Sequence, residues 1–131
     1  MIARYDGFLP GQHPVEGFRA GGFHFAGISH RGSIMALPSG IYAWEMDSLA
    51  RLDAASLAQI LAEPAGAIEM LLVGTGENLL PLPRELRAVL NAAGIRADVM
   101  ATRHAIPTYN ILLEERRKIA AAFIMPAASR S

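Results

Sequence analysis

The stretch Ala67-Ile68-Glu69-Met70-Leu71-Leu72-Val73-Gly74-Thr75-Gly76 decides the fold. Its near-continuous apolar run has the form of a strand buried on both faces, and Gly74-Thr75-Gly76 supplies the turn that ends it. Downstream the period changes to that of a helix. Leu86, Val89, Leu90 and Ala93 share one face, with Pro83 at the first helical position and Gly94 just past the end. A strand over Ile95 to Met100, a helix over Pro107 to Glu115 with Pro107 at its first position, and a last strand over Ile119 to Met125 complete a C-terminal β-α-β-α-β half. Parallel strands would make both crossovers right-handed.

Upstream, Asp53 is a good N-cap for a helix whose face is Leu57, Ile60 and Leu61 and which stops at Glu63-Pro64. From Pro10 to Gly40 the chain is punctuated by glycines, with short apolar stretches between them. This predicts N-terminal β-hairpins with strands near Gly22 to Ala26 and Ile28 to Leu37, and a Pro38-Ser39-Gly40 turn into a strand Ile41 to Trp44. The organisation expected is a single α/β domain over residues 1–131, ordered over about 5–125, with 126–131 a frayed tail.

Composition bounds the chemistry. With 131 residues, 52% hydrophobic, 18% charged and a mean hydropathy of +0.26, the chain can bury one core. Its apolar runs fall short of the roughly 18 residues that span a bilayer, so a chain that does not cross the membrane is expected. Twelve basic and twelve acidic residues give zero net charge, which leaves a nucleic-acid partner without support. The absence of Cys removes disulfides, thiol nucleophiles and Cys-ligated metals. Met1 to Gly11 holds no apolar signal region, so a cytoplasmic location is expected. Lys118 is the sole Lys, a poor basis for amine catalysis.

If the strands ending at Val73 and Met100 are parallel neighbours, the loops that follow them flank one crevice, the place where ligands favour open α/β sheets. The candidate binding residues there are Gly74, Thr75, Gly76, Glu77, Thr102, His104, Thr108, Tyr109 and Asn110, with Asn78 and Arg103 beside them. These polar groups suit a small anion or a peptide segment, and His104 beside Glu77 would be an acid/base pair. No nucleophile, base and orienter follow from spacing, so no catalytic residue is assigned. A dinucleotide site is disfavoured because the third Gly of that fingerprint is missing and Pro81 and Pro83 remove backbone donors. His24 and His30 lie symmetrically about Gly27, and a short hairpin would place them across from each other. Even with His13 they fall short of a structural zinc site, and no metal or cofactor is expected. Arg116, Arg117 and Lys118 form a solvated turn that offers a docking edge for an acidic partner.

Taken in order, Gly21-Gly22-Phe23, Gly32-Ser33 with Leu37-Pro38, Trp44, Ile68 to Gly76, Pro83, Gly94-Ile95, Thr108-Tyr109-Asn110 with Leu112, and Ile119-Ala120-Ala121-Ala122 resemble one pattern. It is that of the small domain-of-unknown-function family that includes the mitochondrial respiratory complex I assembly factor 3 and many bacterial and archaeal single-domain proteins. The resemblance covers about residues 5 to 125. It implies a three-layer α/β domain with a central mixed sheet whose final strand runs antiparallel to its neighbours. It implies no established catalysis, and a role for the mitochondrial members in binding partner proteins near the inner membrane, so a location peripheral to that membrane is the alternative expected.

Three positions depart from the family pattern. Ala101 stands where Asp is frequent, Ile106 where Cys is frequent, and Glu115-Arg116-Arg117 replaces Glu-Gly-Arg. The first two argue against chemistry that needs that carboxylate or thiol, and the third implies a turn without a positive φ. The expected function is that of a non-enzymatic protein-binding or assembly-type factor. Its expected partner is another protein, such as a component of an inner-membrane complex, and the expected state is a monomer or weak homo-oligomer. The rival reading is a small-ligand-binding protein or enzyme that uses the crevice.

Overall fold

The computed structural model describes residues 5–127. Its main sheet has the order β1-β6-β5-β9-β7-β8, built from β1 (Phe8–Pro10), β5 (Ser33–Leu37), β6 (Gly40–Trp44), β7 (Met70–Gly74), β8 (Arg96–Met100) and β9 (Ile119–Phe123). A smaller antiparallel sheet holds β2 (Gly17–Arg19), β3 (Gly22–Phe25) and β4 (Ile28–Arg31). The helices are α1 (Ala58–Leu61), entered through a 3-10 turn over Ala54–Leu57, then α2 (Arg84–Ala92) and α3 (Thr102–Glu114). Asp53 caps the 3-10 turn as expected, its carboxylate accepting from the Ser56 N–H while Ser56 reaches back to the Asp53 backbone.

The parallel core of the sheet is β8-β7-β9. The final strand is therefore antiparallel only to β5, on its other side, which corrects the expectation that it opposes both neighbours. The route β7-α2-β8 steps one way along the sheet, and β8-α3-β9 steps back past β7. Right-handed crossovers in opposite directions put their helices on opposite faces, and the core clusters show this. Leu86 and Leu90 of α2 pack with Leu71, Val73, Ala120 and Ala122. Ala105, Ile106 and Tyr109 of α3 pack with Leu72, Ile119, Ala121 and Phe123, together with Phe23 and Phe25 of the small sheet. Three layers result, with β7 and β9 buried on both faces as their apolar runs require.

Phe123 joins the layers. Its ring meets Tyr109 edge-on at 5.7 Å and stacks at 6.0 Å on Phe23, so main sheet, helix and small sheet share one aromatic contact. Asn110 adds a clamp, donating from Nδ2 to the Val15 carbonyl (2.7 Å) and accepting at Oδ1 from the Val15 N–H (3.0 Å).

Pro83 is the N-cap of α2 and not its first residue, and β7 begins at Met70 and not at Ala67; two larger differences from expectation have clear physical reasons. The stretch Ile28 to Leu37 is two strands in two sheets, divided at Gly32, whose φ of +90° turns the chain. The side chains mark the change, since β4 alternates in exposure whereas β5 is buried throughout. Helix α3 begins at Thr102, so Pro107 is its sixth residue and not its first. The proline forfeits only the bond to the Arg103 carbonyl, and it lies on the exposed side. The buried spacing Thr102, Ala105, Ile106, Tyr109 continues the helix through it.

The ends of α2 and α3 share one geometry. At α2 the Gly94 N–H donates to Asn91 and the Ile95 N–H to Leu90; at α3 the Arg116 N–H donates to Leu113 and the Arg117 N–H to Leu112. Both caps need a left-handed residue, and φ is +79° at Gly94 and +60° at Arg116. The expectation that the Arg116 turn avoids positive φ is thus overturned, because the capping bonds impose it. Substituting Arg116→Gly removes about 1–2 kcal/mol of left-handed strain and adds about 0.5–1 kcal/mol of unfolded-chain entropy. The net expected is a stabilisation of about 0.5–1 kcal/mol and a Tm higher by about 2–5 °C in a thermal melt, whereas a lower Tm would contradict this account of the turn.

Candidate functional site

β7 and β8 are parallel neighbours, so the loops after them do converge as the sequence predicts. The strand order reverses around β7, which places the topological switch point between the C-terminal ends of β7 and β9. That position is filled by the chain itself. Thr102, wholly buried at the start of α3, donates from Oγ1 to the Ile124 carbonyl (2.7 Å) and accepts from the Gly76 N–H (2.9 Å). The Thr102 N–H in turn donates to the Gly76 carbonyl. Gly74 makes the approach possible, because a Cβ there would lie 2.9 Å from Thr102 Oγ1 and 3.0 Å from the Phe123 ring.

The other predicted site residues divide by where their polar atoms point. Thr75 is buried; its hydroxyl donates to the Asn78 carbonyl, lies 3.2 Å from the Met100 carbonyl and accepts from the Leu80 N–H. It folds the loop onto itself. Tyr109 is buried against Phe123, and burial raises its phenol pKa well above the ordinary value, so the ring is a core group and not a crevice wall. Asn110 is committed to Val15. Gly76 turns the loop with φ +97°, and Thr108 Oγ1 donates to the His104 carbonyl one turn back.

Glu77 and His104 are exposed, and among the described residues no hydrogen bond or ion pair joins them. The Glu77 carbonyl is instead held by Arg103 Nη1 at 2.8 Å. What faces solvent at this end is a shallow hollow of about 260 Å³ lined by Asn78, Leu79, Met100, Arg103 and His104 among others. Leu79 stands 63% exposed at its rim. The crevice of the sequence reading thus splits into an internal clasp and an open surface.

The histidines do not form a metal centre. Register sets His30 across from Phe23 and His24 across from Ser29, so the two imidazoles project from opposite faces of the hairpin. His30 Nδ1 lies 3.0 Å from the Tyr5 hydroxyl, and burial lowers its pKa. His13 Nε2 lies 2.9 Å from the Pro10 carbonyl. Among the described residues no group of three or more His, Asp or Glu side chains is placed to hold a metal ion, and no helix is long and apolar enough to cross a membrane.

At the opposite ends of the strands, Arg117 and Lys118 of the predicted docking edge meet a residue the sequence reading did not single out. Arg96, the first residue of β8, shares a hollow of about 120 Å³ with them. Its position directly after Gly94-Ile95, at the start of a parallel strand, was the signal that would have placed it beside the turn before β9.

A family profile described as "Protein of unknown function (DUF498/DUF598)" matches residues 15–124. The chain is 36% identical over 130 residues to an uncharacterised protein of Rhodobacter capsulatus, covering 98% of this chain and 97% of that one. It is 36% identical over 108 residues to the NADH dehydrogenase [ubiquinone] 1 alpha subcomplex assembly factor 3 of Danio rerio. That match covers 82% of this chain and spans 61% of the longer relative. Among solved structures, the crystal structure of an outer membrane protein from Bartonella henselae superposes with a TM-score of 0.82 at 43% identity, covering 88% of this chain and 96% of that one. A match across this much of the chain identifies it: the protein belongs to the DUF498/DUF598 family of unknown function, to which the complex I assembly factor 3 proteins are related.

Proposed function

We propose that the protein is a non-catalytic, protein-binding factor of the assembly type, and that its partners are subunits of a respiratory NADH dehydrogenase complex. The observation that carries this reading is the direction of the polar groups at the strand ends. Thr75, Thr102 and Asn110 spend their hydrogen-bonding capacity on the backbone of their own chain, and Tyr109 lies in the core. Chemistry that a small-ligand site would aim outward here makes the scaffold rigid, and a rigid scaffold presents a surface at low entropic cost on binding. Similarity to assembly factor 3 supports the class of partner.

Two outcomes test this. Tyr109→Phe keeps the ring contact with Phe123 and removes a phenol whose pKa is raised in the folded state. A raised pKa gives stability that is full below the unfolded value of about 10 and is lost as pH rises beyond it. The wild type should therefore lose stability above about pH 10 more steeply than Tyr109→Phe in denaturant titrations, and matching profiles would contradict a core role for Tyr109. Affinity purification of the tagged protein from its own cells should recover NADH dehydrogenase subunits. Recovery of the protein alone, together with a metabolite that raises its Tm by several degrees, would replace this reading with the small-ligand one.

A further inference from the structure

The end of the sheet opposite the clasp carries a second feature. Met70, Leu112 and Ile119 form an apolar floor to the hollow of about 120 Å³, and Arg96, Arg117 and Lys118 stand around it with Glu69 as the one carboxylate. The three cations are exposed, and among the described residues the sole ion pair is Arg51 with Asp47, elsewhere on the surface. None of the three is in an ion pair with another described residue.

Their framework is fixed by backbone bonds that converge on Glu69. Its N–H donates to the Lys118 carbonyl (2.8 Å), and its carbonyl accepts from the Arg96 N–H (2.9 Å). The Met70 N–H also reaches Lys118 (3.2 Å), and Arg117 is held by the capping bond to Leu112. Arg96 and Lys118 are therefore laced to Glu69 and Arg117 to the end of α3, so little backbone ordering remains to be lost on binding. The strained φ of +60° at Arg116 sits in the same turn.

A hollow of this volume holds about four water molecules, the bulk of one aliphatic side chain. An apolar floor with a cationic rim fits an apolar side chain flanked by carboxylates. We infer that this hollow is the docking site for an acidic–apolar segment of the protein partner, seating one aliphatic side chain on Met70, Leu112 and Ile119 and its neighbouring carboxylates on Arg96, Arg117 and Lys118. The inference rests on the proposed protein-binding role and adds to it the face used and the chemistry recognised. Arginine supplies bidentate carboxylate contacts, and their exposed setting makes the attraction sensitive to salt.

The test is a selection from a random peptide library displayed against the purified protein, followed by titration of the enriched peptide monitored by amide NMR shifts. The expected peptides place Asp or Glu beside Leu, Ile, Val or Met, shift the amides of Met70, Arg96, Arg117, Lys118 and Ile119, and bind more weakly as salt rises. Arg96→Gln/Arg117→Gln should weaken binding about tenfold or more, and Glu69→Gln, which removes the opposing carboxylate, should strengthen it about threefold. Enrichment without acidic residues, shifts confined to another face, or affinities unchanged in both variants would overturn the inference. No NADH dehydrogenase subunit takes part in this experiment, so it can fail while copurification succeeds, and the reverse.

Discussion

One hydroxyl ties together the C-terminal ends of the parallel strands. Thr102 Oγ1 bridges the Gly76 N–H after β7 and the Ile124 carbonyl after β9, two strands that are adjacent in space and separated by the whole of α2, β8 and α3 in sequence. The crossover must pass back over β7 to reach β9, and the first turn of α3 comes down on Gly74 as it does so. A side chain at 74 would collide with Thr102 and Phe123, so glycine in the strand and threonine in the helix are two halves of one contact. With the switch point closed by a buried hydrogen bond, the sheet can bury β7 and β9 on both faces without leaving their terminal backbone groups unpaired.

The opposite end is closed differently. There the capping bonds of α3 force Arg116 into a left-handed conformation and deliver Arg117 and Lys118 beside Arg96. Among the described residues no ion pair neutralises these cations, whereas Thr75, Thr102 and Asn110 at the clasp end bond to the backbone of their own chain. Polarity is thus distributed unevenly: at the end where α/β proteins commonly bind ligands the threonine hydroxyls bond to backbone, and the opposite end carries cations that pair with no described residue.

Much of the fold was legible in the sequence because it rests on local signals. The apolar run before Gly74, the Pro83 and Gly94 punctuation of α2 and the Asp53 cap each act within a few residues, and each marks an element to within a few residues of its observed end. Helix α3 was misread at its start because Pro107 mimics a first helical residue. The buried face Thr102, Ala105, Ile106, Tyr109 held the correct signal, concealed by the polar character of its first member. The break at Gly32 escaped notice because β4 and β5 pair with different strands, a fact of tertiary contact. Topology brings the strand-end residues together, but it does not say where their hydroxyls point. Whether a threonine hydroxyl faces solvent or a carbonyl two strands away is set by contacts across 22 and 26 residues, and no local pattern encodes that.

Thr102→Val tests most directly whether the strand-end polar groups hold the fold together. Valine keeps the shape of the side chain and leaves a buried N–H and a buried carbonyl without their partner. The prediction is a loss of about 2–3 kcal/mol in equilibrium unfolding, with faster hydrogen exchange at the Gly76 amide. Unchanged stability and unchanged protection at Gly76 would contradict it, and would return the crevice to the list of places where a ligand binds.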